Sequence, residues 1–216
     1  MNFEIARTQM LGQQLRAWDV LDERVLEVVR TTPREQFVAE PDRELAFADI
    51  EIPLGHDQFM LSPKIEGRLL QALQIGPIDD VLEIGTGSGY LTACLAKLAD
   101  RVTSVDIFAD FVANAGQRLA DLDIRNVDLD AADALTLTFG ASFDAIAVTG
   151  SVPSLNPHFI RMLRPQGRLF IVVGRPPIME ARLITMQPGG QWTQQSLFDT
   201  VLKPLIHAEQ PEPFVL

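Results

Sequence analysis

The chain has 216 residues, a formal net charge of −11 and 47% hydrophobic residues. That length suits one domain with modest decoration, and the apolar share is enough for a sizeable core. The acidic balance argues against a nucleic-acid backbone as partner, because proteins that hold phosphate chains carry basic patches.

The first residues carry no basic-then-apolar leader pattern, and the longest apolar runs, such as 169–173, are strand-sized. Residues 3–31 space Ile5, Met10, Leu11, Leu15, Val20, Leu21, Val25, Leu26 and Val29 at three- and four-residue steps. That spacing predicts helix, with a break near Trp18-Asp19 and an end at Thr32-Pro33. Residues 34–63 contain Pro41, Pro53, Gly55 and Pro63 and read as irregular structure with short helical pieces. Helical spacing returns over 64–75. From there strands and helices alternate: strand 81–84, helix 91–98, strand 102–105, helix 108–122, a weak strand 127–129, strand 145–148, helix 156–163 and strand 168–173. Such alternation implies a parallel sheet covered on both faces. Segments 181–186 and 196–205, parted by Pro188-Gly189-Gly190, predict an antiparallel pair at the sheet edge. The single cysteine, Cys94, excludes an internal disulfide, fits a reducing cytosol and reads as a small core residue.

The informative stretch is Val81-Leu82-Glu83-Ile84-Gly85-Thr86-Gly87-Ser88-Gly89-Tyr90. A strand enters three alternate glycines and a helix leaves, so the backbone can turn sharply and approach a ligand closely. The spacing Gly-x-Gly-x-Gly is one residue short of the dinucleotide fingerprint that seats a pyrophosphate. With Glu83 ahead of it, the loop suits a ligand with no phosphate and a cationic centre, or it is simply a tight turn. Asp106 ends the second strand, where such folds place an acid on ribose hydroxyls, though an acid there can also cap a helix. Asp133, just past the third strand, could accept from an adenine amino group or be a solvated loop residue. The fourth strand runs into Thr149-Gly150 at the crevice. The order of all four points to an S-adenosylmethionine site on a Rossmann-like, doubly wound, mostly parallel α/β sheet. The antiparallel edge is C-terminal and the helical extension N-terminal.

These residues resemble the protein-L-isoaspartate O-methyltransferase family from about residue 6 to residue 207. Gln13-Gln14-Leu15-Arg16 is similar to part of its first helix. Pro33-Arg34-Glu35-Gln36-Phe37-Val38 is similar to its Pro-Arg-Glu-x-Phe-Val segment, and 48–55 to the approach to its substrate loop. Residues 83–90 match its cofactor loop, and 163–174 its Leu-x-x-Gly-Gly-Arg-Leu strand. The resemblance implies transfer of a methyl group from S-adenosyl-L-methionine to the free α-carboxylate of isoaspartyl residues, leaving S-adenosyl-L-homocysteine. It implies cofactor contacts at Gly85, Gly87, Gly89, Asp106 and Asp133, with Glu83 near the methionine portion and Thr86, Ser88, Ile107, Ala134 and Thr149 beside them. It also divides a single 216-residue domain into N-terminal helices with the substrate loop (1–75) and a cofactor-binding core (76–216).

The substrate loop would hold His56, Gln58, Phe59, Met60, Leu61 and Ser62. Aligned on Gly55, Gln58 and Pro63, the family's serine falls on Leu61 and its threonine on Phe59, which leaves Ser62 as the one hydroxyl that a small shift could make catalytic. The family's Gly-Asp-Gly-Trp is Ala132-Asp133-Ala134-Leu135 here, and Thr149-Gly150-Ser151-Val152-Pro153 replaces an alanine-rich loop. A carboxylate acceptor is ionised at neutral pH and needs no general base, which fits a chain with three histidines in no catalytic constellation. No metal-ligand spacing is present. Three readings stay open: an isoaspartyl carboxyl methyltransferase, a methyltransferase with another peptide or small-molecule acceptor, and a cofactor-binding module without catalysis. A cytoplasmic monomer or weak homodimer, with no membrane or nucleic-acid partner, is expected.

Overall fold

The computed structural model describes residues 2–137 and 142–208. The chain opens with α1 (Phe3–Met10), whose N-cap Asn2 accepts from the Glu4 and Ile5 amides. The helix widens into a π turn over 11–15, tightens over 16–18 and stops at Asp19, which adopts a left-handed φ of 57°. This is the break expected near Trp18-Asp19. α2 (Glu23–Thr31) follows, its first amides capped by Asp22. Two short 3-10 turns cover 34–37 and 40–45.

A hairpin then departs from the irregular structure expected over 34–63. β1 (Ile52–Gly55) pairs antiparallel with β2 (Gln58–Met60). Its tip is His56-Asp57, both at positive φ (50° and 55°). Glycine and asparagine are the usual signals for such a two-residue turn, and neither is present at the tip. α3 (Pro63–Leu73) comes next, with proline in its first turn where a missing N–H costs nothing.

The core is a seven-stranded sheet in the order β5-β4-β3-β6-β7-β8-β9. Its parallel part comprises β3 (Asp80–Ile84), β4 (Arg101–Asp106), β5 (Val127–Ala131), β6 (Phe143–Val152) and β7 (Leu163–Arg175). α4 (Tyr90–Leu98) and α5 (Ala109–Asp121) connect the first three strands, and the short α6 (Pro157–Arg161) joins β6 to β7. β8 (Ile178–Met186) and β9 (Trp192–Asp199) form the antiparallel edge. The expected doubly wound sheet with an antiparallel C-terminal edge is therefore present.

Strand periodicity sorts the core into two layers. Val81, Ala145 and Ala147 face the layer that contains the N-terminal helices, α3 and α4, while Leu82, Ile84, Ile146 and Val148 face the layer under α6. At the N-terminal ends of the strands Arg164 ties Asp80 to Asp144, and Arg168 holds Asp79 at 2.7 Å. The opposite end is left open for chemistry.

β9 stops at Asp199 rather than running through 205 as the pattern had implied. Residues 202–205 instead cross back to lie parallel beside the end of β6. The Ser151 amide donates to the Lys203 carbonyl (2.8 Å), the Leu205 amide donates to the Ser151 carbonyl (2.9 Å), and Ser151 Oγ donates to the Leu202 carbonyl (2.9 Å). Gly150 makes this approach possible, since a Cβ there would lie 2.7 Å from Leu205 Cδ2. Among the described residues no helix is long and apolar enough to cross a membrane.

Candidate active site

A cleft enclosing about 1020 Å³, its open mouth included, lies above the C-terminal ends of β3, β4 and β6. Its floor is the glycine loop, where Gly85, Gly87 and Gly89 take φ of 97°, 50° and 85°. Such angles are costly for any residue with a side chain. At Gly85 the restriction is also steric. A Cβ would sit 2.0 Å from Thr149 Oγ1, and that hydroxyl donates to the carbonyls of Ile84 (2.9 Å) and Gly85 (3.0 Å). The turn is thus locked to the end of β6. Gly89 does not line the cleft, contrary to the expected ligand contact. It caps α4, and a Cβ there would press on Ala115 of α5 at 2.9 Å.

Of the other residues expected at the cofactor, Thr86, Gly87, Ser88, Asp106 and Ile107 line the cleft. So do Asp133, Ala134 and Thr149. Asp106 Oδ2 accepts from the Gly87 amide (2.9 Å) and Oδ1 from the Phe108 amide (3.0 Å). Burial pushes this carboxyl upward, and the backbone donors oppose the shift. Each oxygen keeps a lone pair for a further donor. Asp133 Oδ1 caps the Leu135 amide (2.9 Å), and Oδ2 lies 2.8 Å from His207 Nδ1.

Glu83 corrects the expectation that it lies near the methionine portion of the cofactor. It shares strand parity with Val81, so its side chain enters the layer beneath α4 rather than the cleft. It is fully buried; Oε2 accepts from Thr92 Oγ1 and from Ser104 Oγ, and Oε1 has no hydrogen-bond partner among the described residues. Thr86 Oγ1 lies 2.6 Å from Ser104 Oγ, which links the glycine loop to this buried acid. Burial lifts the Glu83 pKa to about 8. The acid is therefore mainly neutral at pH 7 and acts as a support under the loop.

This shift carries a stability prediction. Glu83 has a folded pKa raised above its ordinary 4.5, so between the two values the folded state binds more protons than the unfolded state. Its contribution is complete below about pH 4.5 and is lost as pH rises through about 8. Glu83→Gln removes that dependence, while the amide can still serve Thr92 and Ser104. Melting temperatures recorded from about pH 5 to about pH 9 should converge at the acid end, with the variant several degrees more stable at the alkaline end. Parallel curves would show that Glu83 ionises freely.

Arg34 and Glu66 are missed by the sequence reading. Both are buried, Glu66 lines the cleft, and the two are joined through Arg34 Nη1. Arg34 also donates to the carbonyls of Ala46 (2.7 Å) and Leu61 (2.6 Å) and lies 4.6 Å from the Tyr90 ring centroid. Burial raises the Glu66 pKa while the guanidinium pulls it down. One signal was available: Glu66 sits with Leu69, Leu70 and Leu73 on the apolar stripe of α3.

The substrate loop is divided. Gln58, Phe59, Met60 and Leu61 line the cleft, but His56 and Ser62 do not. His56 stacks on Phe108 (ring centroids 4.2 Å apart) and pairs with Asp110 at 2.9 Å, because the tight tip turns it toward α5. Ser62 is the buried N-cap residue of α3, so the chain has already turned into the helix and the side chain at the wall is Leu61. Ser62 is therefore withdrawn as a catalytic group. Leu202, Lys203, Pro204, Leu205 and Ile206 add a wall that the sequence did not announce. Cys94 is buried and its thiol is pushed up to about 12, which leaves it unreactive. Among the described residues no group of three or more His, Cys, Asp or Glu side chains could hold a metal.

A profile of the protein-L-isoaspartate(D-aspartate) O-methyltransferase family matches residues 6–210. The chain belongs to this family. It is 36% identical to a protein-L-isoaspartate O-methyltransferase of Koribacter versatilis over 94% of this chain and 92% of that one. It is 36% identical to that of Pseudomonas aeruginosa over 92% and 95% of the respective chains. A crystal structure from Plasmodium falciparum, assigned to the same enzyme and bound to S-adenosyl-L-homocysteine, superposes with a TM-score of 0.80. It covers 91% of this chain and 96% of its own at 21% identity, a likeness of fold. The family span takes in the hairpin, the glycine loop and the returning segment, so all three walls of the cleft lie inside it.

Proposed function

We propose that this protein transfers a methyl group from S-adenosyl-L-methionine to the free α-carboxylate of isoaspartyl residues in damaged proteins, releasing S-adenosyl-L-homocysteine. The observation that carries this reading is a family match that spans every wall of the cleft. The residues present fit such a cofactor. Asp106 has lone pairs to spare for paired ribose hydroxyls, and the Gly85–Gly87 backbone borders the cleft where a side chain could not stand. Ile107, Phe108 and Leu135 offer apolar surface for a purine, with Asp133 at its edge.

When bound, the cofactor supplies a methyl carbon made electrophilic by its positive sulfur. The chain's own task is to place a nucleophile against it and keep water out. A carboxylate arrives already ionised, so no side chain has to remove a proton. The histidines agree with this: His56 is stacked on Phe108, His158 Nε2 lies 3.1 Å from the Ala134 carbonyl, and His207 pairs with Asp133. Phe59, Met60 and Leu61 on one wall and Leu202 and Leu205 on the other exclude water from the acceptor side. The test is transfer of labelled methyl to an isoaspartyl peptide, beside the same peptide with ordinary aspartate. Labelling of the first alone is expected. Tight binding of S-adenosyl-L-homocysteine with no transfer to the isoaspartyl peptide would move the acceptor to another class of compound.

A further inference from the structure

The acceptor half of the cleft presents an electrostatic problem. Four acidic side chains line the cleft, Glu51 and Glu66 in addition to Asp106 and Asp133 among the cofactor residues, and a carboxylate entering beside them is repelled. Arg34, a buried cation, is committed to Glu66 and to two carbonyls. The loop wall offers the apolar Leu61 and no hydroxyl at that position. Among the described residues the one lysine or arginine lining the cleft is Lys203.

Lys203 is well held for a recognition role. Its backbone is fixed by the Ser151 amide, and its Nζ reaches across the mouth to Asp57 at the hairpin tip, 5.5 Å from the Phe59 ring centroid. The Asp57 side chain is 80% exposed, so this ion pair is screened by water and contributes little. A carboxylate on the cleft side of the same ammonium would sit against Phe59, Leu61 and Leu202, where lower polarity strengthens the attraction.

We propose that Lys203 receives the carboxylate of the methyl acceptor, releasing Asp57 as it does so; this rests on the carboxylate acceptor read above. The ammonium holds one carboxylate oxygen and leaves the other free to attack. Asp57 acts as a placeholder that keeps Lys203 extended across the mouth in the empty enzyme.

The test uses the full chain, an isoaspartyl peptide, S-adenosyl-L-methionine, and the variants Lys203→Met, Lys203→Arg and Asp57→Asn. Losing a charge-assisted hydrogen bond should raise the peptide KM of Lys203→Met about 10- to 100-fold, with Lys203→Arg recovering most of it. The Kd for S-adenosyl-L-homocysteine, read by calorimetry, should stay within about twofold, because the change is confined to the acceptor wall. Asp57→Asn should lower the peptide KM, since the carboxylate paired with Lys203 at the hairpin tip then no longer competes. Added salt should raise the wild-type KM and leave that of Lys203→Met nearly flat. A Lys203→Met KM within about twofold of wild type, or an Asp57→Asn KM above it, overturns the proposal alone. A wild-type chain that labels no isoaspartyl peptide overturns the acceptor reading and this proposal with it.

Discussion

Replacing Arg34 with methionine should lower the midpoint of thermal unfolding by about 10 °C or more. The guanidinium is fully buried and serves three acceptors: Glu66, the Ala46 carbonyl and the Leu61 carbonyl. Methionine fills much of the volume but donates nothing. It leaves a buried carboxylate and two buried carbonyls without their partner, and breaking a buried pair from one side costs about 3–5 kcal/mol. The companion Arg34→Met/Glu66→Gln removes the stranded charge and should recover part of the loss. Scanning calorimetry on the three proteins decides the matter. A shift of less than about 3 °C in the single variant would mean that water reaches Glu66 and solvates it. The loss should also reach the chemistry, because the Leu61 carbonyl is one of the points that fixes the cleft wall.

Gly85→Ala should weaken binding of S-adenosyl-L-homocysteine by about 100-fold or more, in titration calorimetry. The backbone there has φ 97°, and the new methyl group would occupy the position of Thr149 Oγ1, 2.0 Å away. Either the loop unwinds or Thr149 swings out and gives up its bonds to the Ile84 and Gly85 carbonyls. Both outcomes displace the Gly87 amide, which holds Asp106 in place. Thr149→Ala in the same chain removes the clashing oxygen and should restore part of the affinity, leaving only the cost of the φ angle. Additive losses in the double variant would place the damage elsewhere than at that contact.

The parts of the site that could be read from the sequence are those whose determinants lie close together in the chain. Gly85, Gly87 and Asp106 announce a turn and a strand-end acid within one strand–helix–strand unit, and the structure puts all three at one cleft. The strand core was legible for the same reason, since Leu82, Ile84, Ile146 and Val148 follow the period of a buried strand. What escaped was built from distant pieces. Arg34 meets Glu66 across 32 positions, and Lys203 meets Asp57 across 146. No local pattern announces such pairs. The hairpin at 52–60 was hidden by its turn residues, and the end of β9 by apolar residues at 202 and 205 that serve the cleft wall instead. Glu83 shows the opposite error: its place next to the glycines suggested a ligand contact, but the two-residue period of β3 turns it away.

The returning segment 202–205 bears on the order in which the protein is made. A ribosome delivers the glycine loop, all seven strands and the hairpin before it delivers Lys203. Until residues 202–205 emerge, the nascent chain can complete its sheet but lacks one wall and the cation in it. Competence for the acceptor therefore arrives after the sheet that carries the nucleoside site. A fusion that pulls residues 202–205 away from β6 would undo the acceptor side.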